Sequence, residues 1–174
     1  MDQVTNITIP LFLGMIVFFF LAEIGIHRTS LKRLRWVLFA LYVYLNLSET
    51  LLFRKVSPSM RFELQLFWSY RLALAGNMMM LSEILLNILL YVPFGFLLSD
   101  LRYLGSLKII LLGFACSTLT ELTQLVFHLG LFEFDDIFDN TLGCILGVLF
   151  FLFLRFLTQK MQDGKSRPAK GHEY

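Results

Sequence analysis

Four polar side chains share one face of an apolar segment in the second half of the chain. Ser117, Glu121, Gln124 and His128 are separated by steps of four, three and four residues. At about 100° per residue, their side chains lie within roughly 60° of one another on a helix. A carboxylate at the centre of a membrane helix costs at least about 2.5 kcal/mol on insertion scales, so Glu121 should have a specific structural or functional role.

A second set of polar and small residues follows a short acidic linker. Asp136, Asn140, Gly143 and Gly147 repeat the same helical spacing. Asp135 and Asp136 fit the N-terminus of a helix, where carboxylates accept bonds from free amides and complement the dipole. The two are also weak candidates for holding a divalent cation. Gly143 and Gly147, four residues apart, predict a close contact between helices.

The composition places the chain among integral membrane proteins. Of its 174 residues 57% are hydrophobic and 16% charged, and the mean hydropathy is +0.70. Such values exclude an ordinary soluble protein and fit one polytopic, all-α bundle over residues 1–159. The net charge of +2 gives no indication of nucleic-acid binding. We expect the lipid bilayer as partner and no cofactor, and nothing indicates an oligomeric state.

Five apolar segments are predicted to cross the membrane. They cover residues 9–26, 34–53, 78–99, 107–130 and 137–157. Residues 54–77 mix charges with Trp and Tyr, which predicts an interfacial or re-entrant segment starting near Ser57 and Pro58. Residues 160–174 form a basic tail, for which we expect disorder.

The Lys and Arg residues predict the orientation. With the N-terminus outside, eleven of the fifteen lie on the inner side, and Arg54, Lys55, Arg61 and Arg71 lie on the outer side. The positive-inside rule therefore predicts a multi-pass protein of the plasma membrane with its C-terminus in the cytoplasm.

This orientation puts several polar residues in the outer half of the bilayer. Glu121 lies ~14 Å below the outer surface, and Asn87 reaches a similar depth. Because polar groups in lipid face the bundle interior and pair, an outward-facing polar cavity is the simplest interpretation. The groups available to Glu121 are Ser117, Asn87, Gln124 and Asn140.

Each of these residues also has a structural interpretation. Asn87, Asn140, Ser117 and Gln124 could simply hydrogen-bond between helices. Glu49, at the outer end of the second span, could pair with Arg54. Pro93 removes one backbone hydrogen bond and predicts a kink in the third span.

Three ordered motifs resemble the VanZ-like family of bacterial membrane proteins. They are NILLYVPFGFLL, STLTELTQ and EFDDIFDNTLGCILG, and ETLLFR at residues 49–54 resembles a further family element. The resemblance extends from about residue 41 to 154. The matching positions are Glu49, Arg54, Asn87, Pro93, Gly95, Glu121, Gln124, Asp135, Asp136, Asn140 and Gly143.

The resemblance implies a helical membrane protein of the cell envelope, associated with resistance to teicoplanin-type glycopeptide antibiotics, without a settled activity. Family members often carry an Arg shortly before the double aspartate, where this chain has Leu131 and Phe132. Arg54, Arg61 or Arg71 would then supply a cation. Asp139 replaces a usually apolar residue and is expected at the aqueous rim.

Three functions fit these features. The first is a non-enzymatic protein that binds an envelope lipid or a glycopeptide-related ligand and reduces antibiotic access. The second is an intramembrane hydrolase or transferase with Glu121 as general base. The absence of HExxH, of a Gly-rich phosphate loop and of a strong nucleophile motif counts against it. The third is a proton-coupled carrier.

Overall fold

The computed structural model describes residues 30–52, 54, 56–101 and 103–165. The predicted first span, residues 9–26, and the end of the basic tail lie outside these residues. The described elements are α1 (Ser30–Leu47), a π-helical turn (Ser48–Leu52), β1 (Arg61–Glu63), α2 (Trp68–Leu74), α3 (Met78–Leu98), α4 (Ser106–Val126), β2 (Leu131–Glu133) and α5 (Phe134–Lys165). The chain is therefore mostly helical, as predicted.

Three of the described helices are long and apolar enough to cross a membrane. They are α3, α4 and the part of α5 from Phe134 to Met161. They correspond to the predicted third, fourth and fifth spans, so the prediction of five spans is supported for three. The predicted second span is helical in α1 and the π-helical turn, but α1 begins with Lys32, Arg33 and Arg35 and is not among the three. Helix α5 continues through residues 160–165, which were predicted to be the start of the basic tail.

The structure contains a two-stranded sheet, which the all-α prediction did not include. Strands β1 and β2 run parallel, with Phe62 opposite Phe132 and Glu63 opposite Glu133. Parallel strands need a long crossover, which α2, α3 and α4 supply here. Strands of three residues carry no readable periodicity, and this explains why the sequence did not reveal them. The sheet ties the segment before α2 to the linker between α4 and α5.

The segment between residues 54 and 77 contains a helix, but its predicted start near Pro58 is wrong. The Ser57 amide donates to the His128 carbonyl at 2.7 Å, which holds this part of the chain beside the α4–β2 turn before β1 begins. The helix, α2, starts only at Trp68. Several of its apolar side chains and those that follow remain exposed, among them Leu72, Leu74 and Met78.

Local hydrogen bonds set the ends of α3 and α4. The Asn77 side chain accepts from the Met79 and Met80 amides at 3.1 and 3.4 Å and caps the start of α3. After α4, His128 adopts a left-handed conformation with φ 57°. The Leu129 amide donates to the Gln124 carbonyl at 2.8 Å, and the pattern is a Schellman turn. This turn ends α4 and directs the chain into β2.

Glycines allow α3 and α5 to pack backbone against backbone. A Cβ atom on Gly143 would lie 2.0 Å from the Ile88 carbonyl oxygen, and one on Gly147 would lie 2.1 Å from that of Val92. In the other direction, a Cβ atom on Gly95 would lie 2.0 Å from the Cys144 carbonyl oxygen. Any side chain at these positions would separate the helices. Helix α3 continues through Pro93 to Leu98.

The apolar core lies below this contact, between α1, α3, α4 and α5. Tyr91, Phe94, Ile109 and Val148 are among its buried members. The Tyr42 hydroxyl donates to the Leu90 carbonyl at 2.8 Å and fixes α1 against α3. The rigid bundle that results positions the polar residues at one end, which we call the linker end. It comprises the start of α3, the end of α4, the start of α5, α2 and the sheet.

Candidate functional site

The polar residues of the sequence motifs come together at the linker end. We call them the polar cluster: Asn87, Ser117, Glu121, Gln124, Glu133, Asp135, Asp136, Asp139 and Asn140. All but Asn87, Glu133 and Asp136 are buried, and those three are partly buried. Four of the nine come from the first two turns of α5 and face three different helices.

The deepest layer joins α4 to α5. The Asn140 amide nitrogen donates to the Ser117 hydroxyl at 2.9 Å, and both residues are buried. Tyr91 of α3 lies close to the side chains of Ser117 and Thr120. The predicted interhelical role of Ser117 and Asn140 is what these contacts provide.

The middle layer contains the two most central carboxylates. Glu121 is only 2% exposed, and its Oε2 accepts from the Glu133 amide at 3.2 Å. Asn87 of α3 donates to Asp136 Oδ1 at 2.6 Å. Glu121 is therefore satisfied in part by the backbone of β2, a partner that was not predicted from the sequence.

The upper layer lies beneath the π-helical turn. Gln124 is 1% exposed and donates from Nε2 to the Thr50 carbonyl at 3.1 Å. Above it, Gly130 leaves room for the Arg54 guanidinium: a Cβ atom there would lie 2.8 Å from Arg54 Nη1 and 3.1 Å from Gln124 Oε1. The side chain of Glu49, in the same turn, is outside the described part of the chain.

Arg54 brings positive charge to a region of negative charge. Its guanidinium lies within electrostatic range of Glu121, Glu133 and Asp136. The linker before Asp135 lacks the arginine that the family resemblance leads us to expect. Arg54, which lies earlier in the chain, supplies a cation here instead. Arg61 and Arg71, the other two candidates, are exposed, as Arg54 is, but the cation that acts on these three carboxylates is Arg54.

Helix α2 is held against the cluster by three consecutive residues. Asp135 accepts from the Phe67 amide, from the Ser69 hydroxyl and, at 2.9 Å, from the Ser69 amide. The Trp68 indole donates to Glu133 at 3.1 Å, and the Tyr70 hydroxyl donates to Asp139. These three residues were not predicted as part of the site, although the mixture of charged and aromatic residues in residues 60–74 was the available signal.

These contacts correct two expectations about the acidic residues. Asp135 lies in the first turn of α5 as expected, but the amides that it caps belong to the start of α2. Asp139 is not at the aqueous rim: it is 1% exposed and faces Tyr70. The reason for both is the docking of α2 over the start of α5.

Aromatic packing supports the same docking. Phe67 packs edge-on against Tyr70 and Phe138, with ring centroids 5.6 and 5.3 Å apart. Phe67 has a φ of 63°, which is uncommon for a bulky residue and orients its amide toward Asp135.

The arrangement gives no support to a metal site at Asp135 and Asp136. Asp135 binds the start of α2, whereas Asp136 accepts from Asn87 of α3. Within residues 30–165, as far as they are described, no three His, Cys, Asp or Glu side chains are placed to hold an ion.

Glu133 gives the linker end a dependence on pH. Burial raises its pKa from the ordinary 4.5 to about 7, with further contributions from Glu83 and Asp135, against the opposing effects of Trp68 and Arg54. A carboxyl group with a higher pKa in the folded state binds its proton more tightly there. Its contribution to stability is therefore present below pH ~4.5 and is lost as the pH rises to ~7.

We expect Glu133→Gln to remove this contribution. Gln keeps an acceptor for Trp68 but does not ionise. After a reduction for the solvent that reaches Glu133, the variant should lose about 1 kcal/mol less stability than the unmodified protein between pH 4.5 and 7. Thermal unfolding in detergent across this range measures the difference. Glu63→Gln, at the paired position of β1, is the control, and parallel pH profiles for Glu133→Gln and the unmodified protein would contradict the assignment.

Comparison with known proteins bears on the family. A model of the VanZ/LLP1 family matches residues 7–155, and this range includes every residue of the polar cluster. No curated protein and no solved structure matches the chain. The match agrees with the resemblance in the motifs, and three helices of the described bundle can cross a bilayer. The chain is a membrane protein and belongs to the VanZ/LLP1 family.

Proposed function

We propose that the protein binds the head group of a cell-envelope lipid, or a surface ligand related to it, at the polar cluster and thereby contributes to resistance to teicoplanin-type glycopeptides. The observation that carries this proposal is the position of Arg54 over Gln124, beside the buried Glu121. Charged and hydrogen-bonding groups of both signs meet there at one end of an apolar bundle. A head group at a membrane surface offers the same combination.

The proposal requires that the linker end face outward. Arg54, Arg61 and Arg71 belong to this end, whereas Lys108, Arg155 and Lys160 belong to the opposite end. The positive-inside rule favours the linker end outside and the C-terminus in the cytoplasm. Residues 9–26 and α1 would then supply two further spans. Exposed Leu72, Leu74 and Met78 favour contact of α2 with the lipid interface.

Hydrolysis is the less favoured alternative. The Ser117 hydroxyl accepts from the Asn140 side chain and is fully buried below Glu121, so it is not presented to a substrate as a nucleophile. A hydrolase or transferase would therefore depend on Glu121 alone as a general base. A proton-coupled carrier would likewise depend on Glu121 alone, because no other feature of the described residues favours it.

The substitution Glu121→Gln tests the proposed site. Gln keeps an acceptor for the Glu133 amide, so the variant should fold and reach normal abundance. It can neither ionise nor bind a proton, so we expect the loss of most protection against teicoplanin in a susceptible host. Asp100→Asn, the same chemical change at the opposite end of the bundle, should retain protection. Protection and thermal stability that both survive Glu121→Gln would show that Glu121 is only structural.

A further inference from the structure

The polar cluster contains more buried acceptors than donors. Three side-chain oxygens are buried and accept no hydrogen bond from any described residue: Gln124 Oε1, Asp139 Oδ2 and Asn140 Oδ1. The three residues are 1%, 1% and 4% exposed. All three unsatisfied atoms are acceptors, and an unsatisfied buried polar group costs about 1–3 kcal/mol. Gln124 Oε1 is the one of the three that lies close to Arg54, so a group that completes its hydrogen bonding must bring a donor.

The charges of the cluster also favour a ligand that brings hydrogen-bond donors. Arg54 faces Glu121, Glu133 and Asp136, so carboxylates outnumber the cations among the described residues that interact there. An anion placed among them would add acceptors and repulsion. A cation with N–H groups would supply both the missing donors and the missing charge.

Arg54 lies at the surface of the molecule, next to the buried Gln124. It is exposed at the surface, while Gln124 beneath it is fully buried. Arg54 Nη1 and Gln124 Oε1 both lie close to Gly130, at 2.8 and 3.1 Å from the point that a Cβ atom would occupy there. A ligand that binds beside Gly130 would meet a donor cation on its outer side and acceptors on its inner side.

We propose that the polar cluster recognises a zwitterionic phospholipid head group that carries a primary ammonium. The ammonium points inward to Gln124 Oε1 and Glu121, and the phosphodiester accepts from Arg54, whose planar donors suit phosphate oxygens. The inference rests on the proposed function and specifies its ligand. A quaternary ammonium has the same charge but no N–H donor, and it should bind much more weakly.

A methylation series tests the donors at constant charge. The purified full-length protein is incubated with phosphatidylethanolamine, its N-methyl and N,N-dimethyl derivatives, or phosphatidylcholine, all with the same acyl chains, and bound lipid is measured by native mass spectrometry. We expect affinity to fall stepwise and by about 10-fold or more over the series, because each methyl group removes one N–H donor. Phosphatidylglycerol, which has hydroxyl donors and a net negative charge, should bind less tightly than phosphatidylethanolamine.

Variants test which residue binds the phosphodiester of the head group and which binds its ammonium. Arg54→Gln should weaken all four lipids of the series equally and leave their ratio unchanged. Glu121→Gln should reduce the ratio of the affinity for phosphatidylethanolamine to that for phosphatidylcholine. Asp100→Asn should change neither the affinities nor this ratio. Where a variant does not fold, the series on the unmodified protein still decides.

Other outcomes separate the inference from the function on which it rests. Equal affinity across the methylation series, or tighter binding of phosphatidylglycerol, would overturn the ammonium site and leave lipid binding intact. Failure of every lipid to bind would overturn both.

Discussion

Replacement of Gly143 by alanine should destabilise the protein strongly, although it adds only one methyl group. The new Cβ atom would lie 2.0 Å from the Ile88 carbonyl oxygen, a backbone atom that cannot rotate away. Helices α3 and α5 would have to separate along their whole contact, because Gly147 and Gly95 lie equally close to the opposite helix. We expect a loss of about 3 kcal/mol or more, since overpacking against backbone leaves no rotamer to adjust.

Thermal unfolding in detergent measures this loss as a decrease in Tm of roughly 10 °C for a chain of this length. Gly105→Ala is the matched control, because a Cβ atom at Gly105, just before α4, meets no atom within 4 Å. It should cost about 1 kcal/mol at most. Equal Tm values for the two variants would mean that α3 and α5 are not in backbone contact.

The sequence predicts the three long helices well because hydropathy is a property of whole segments. The predicted third span, 78–99, differs by one residue from α3, Met78–Leu98. The predicted fourth span was too long at its end: α4 stops at Val126, although the apolar residues continue. The Schellman turn at His128 ends it, and hydropathy does not register such a backbone feature.

Helical spacing also predicts which side chains share a face, but not what they meet. Ser117, Glu121 and Gln124 are all buried on one side of α4, as their spacing indicates. Their partners are Asn140, the Glu133 amide and the Thr50 carbonyl. Two of these three are backbone groups, whose positions depend on β2 and on the π-helical turn. The types of the side chains in the sequence do not predict these positions.

The contacts of α2 could not be predicted from the sequence, for a related reason. Trp68, Ser69 and Tyr70 are consecutive, and no periodicity distinguishes three consecutive polar contacts from an ordinary interfacial segment. They reach Glu133, Asp135 and Asp139 because the parallel β1–β2 pair brings the two segments side by side. Only knowledge of this long-range pairing would have identified them.

Removal of the Asp135 carboxylate should release α2 from the bundle. In Asp135→Ala the Phe67 amide and both donors of Ser69 lose their acceptor. Each unsatisfied group costs about 1–3 kcal/mol, and the charged acceptor strengthens all three bonds, so the docking of α2 should lose about 3 kcal/mol or more. Leu72 and Leu74 are already exposed, so the apolar contacts left to hold α2 would be chiefly those of Phe67 and Tyr70 with Phe138.

Trp68 reports the release directly. It is one of two tryptophans, so a Trp36→Phe background isolates its fluorescence. Its indole is partly buried and bonded to Glu133. In Asp135→Ala we expect stronger quenching by aqueous acrylamide and faster hydrogen exchange over residues 67–74. Helices α3, α4 and α5 should keep their protection.

Two further variants separate the charge from the cap. Ser69→Ala removes one hydroxyl donor and leaves both amide bonds to Asp135, so it should match the unmodified protein within about 1 kcal/mol. Asp135→Asn keeps one acceptor oxygen but loses the charge, and it should fall between the two. If quenching and exchange in Asp135→Ala equal those of Ser69→Ala, α2 is held by its aromatic contacts with Phe138 instead. In that case, Phe138→Ala should release α2 where Asp135→Ala does not.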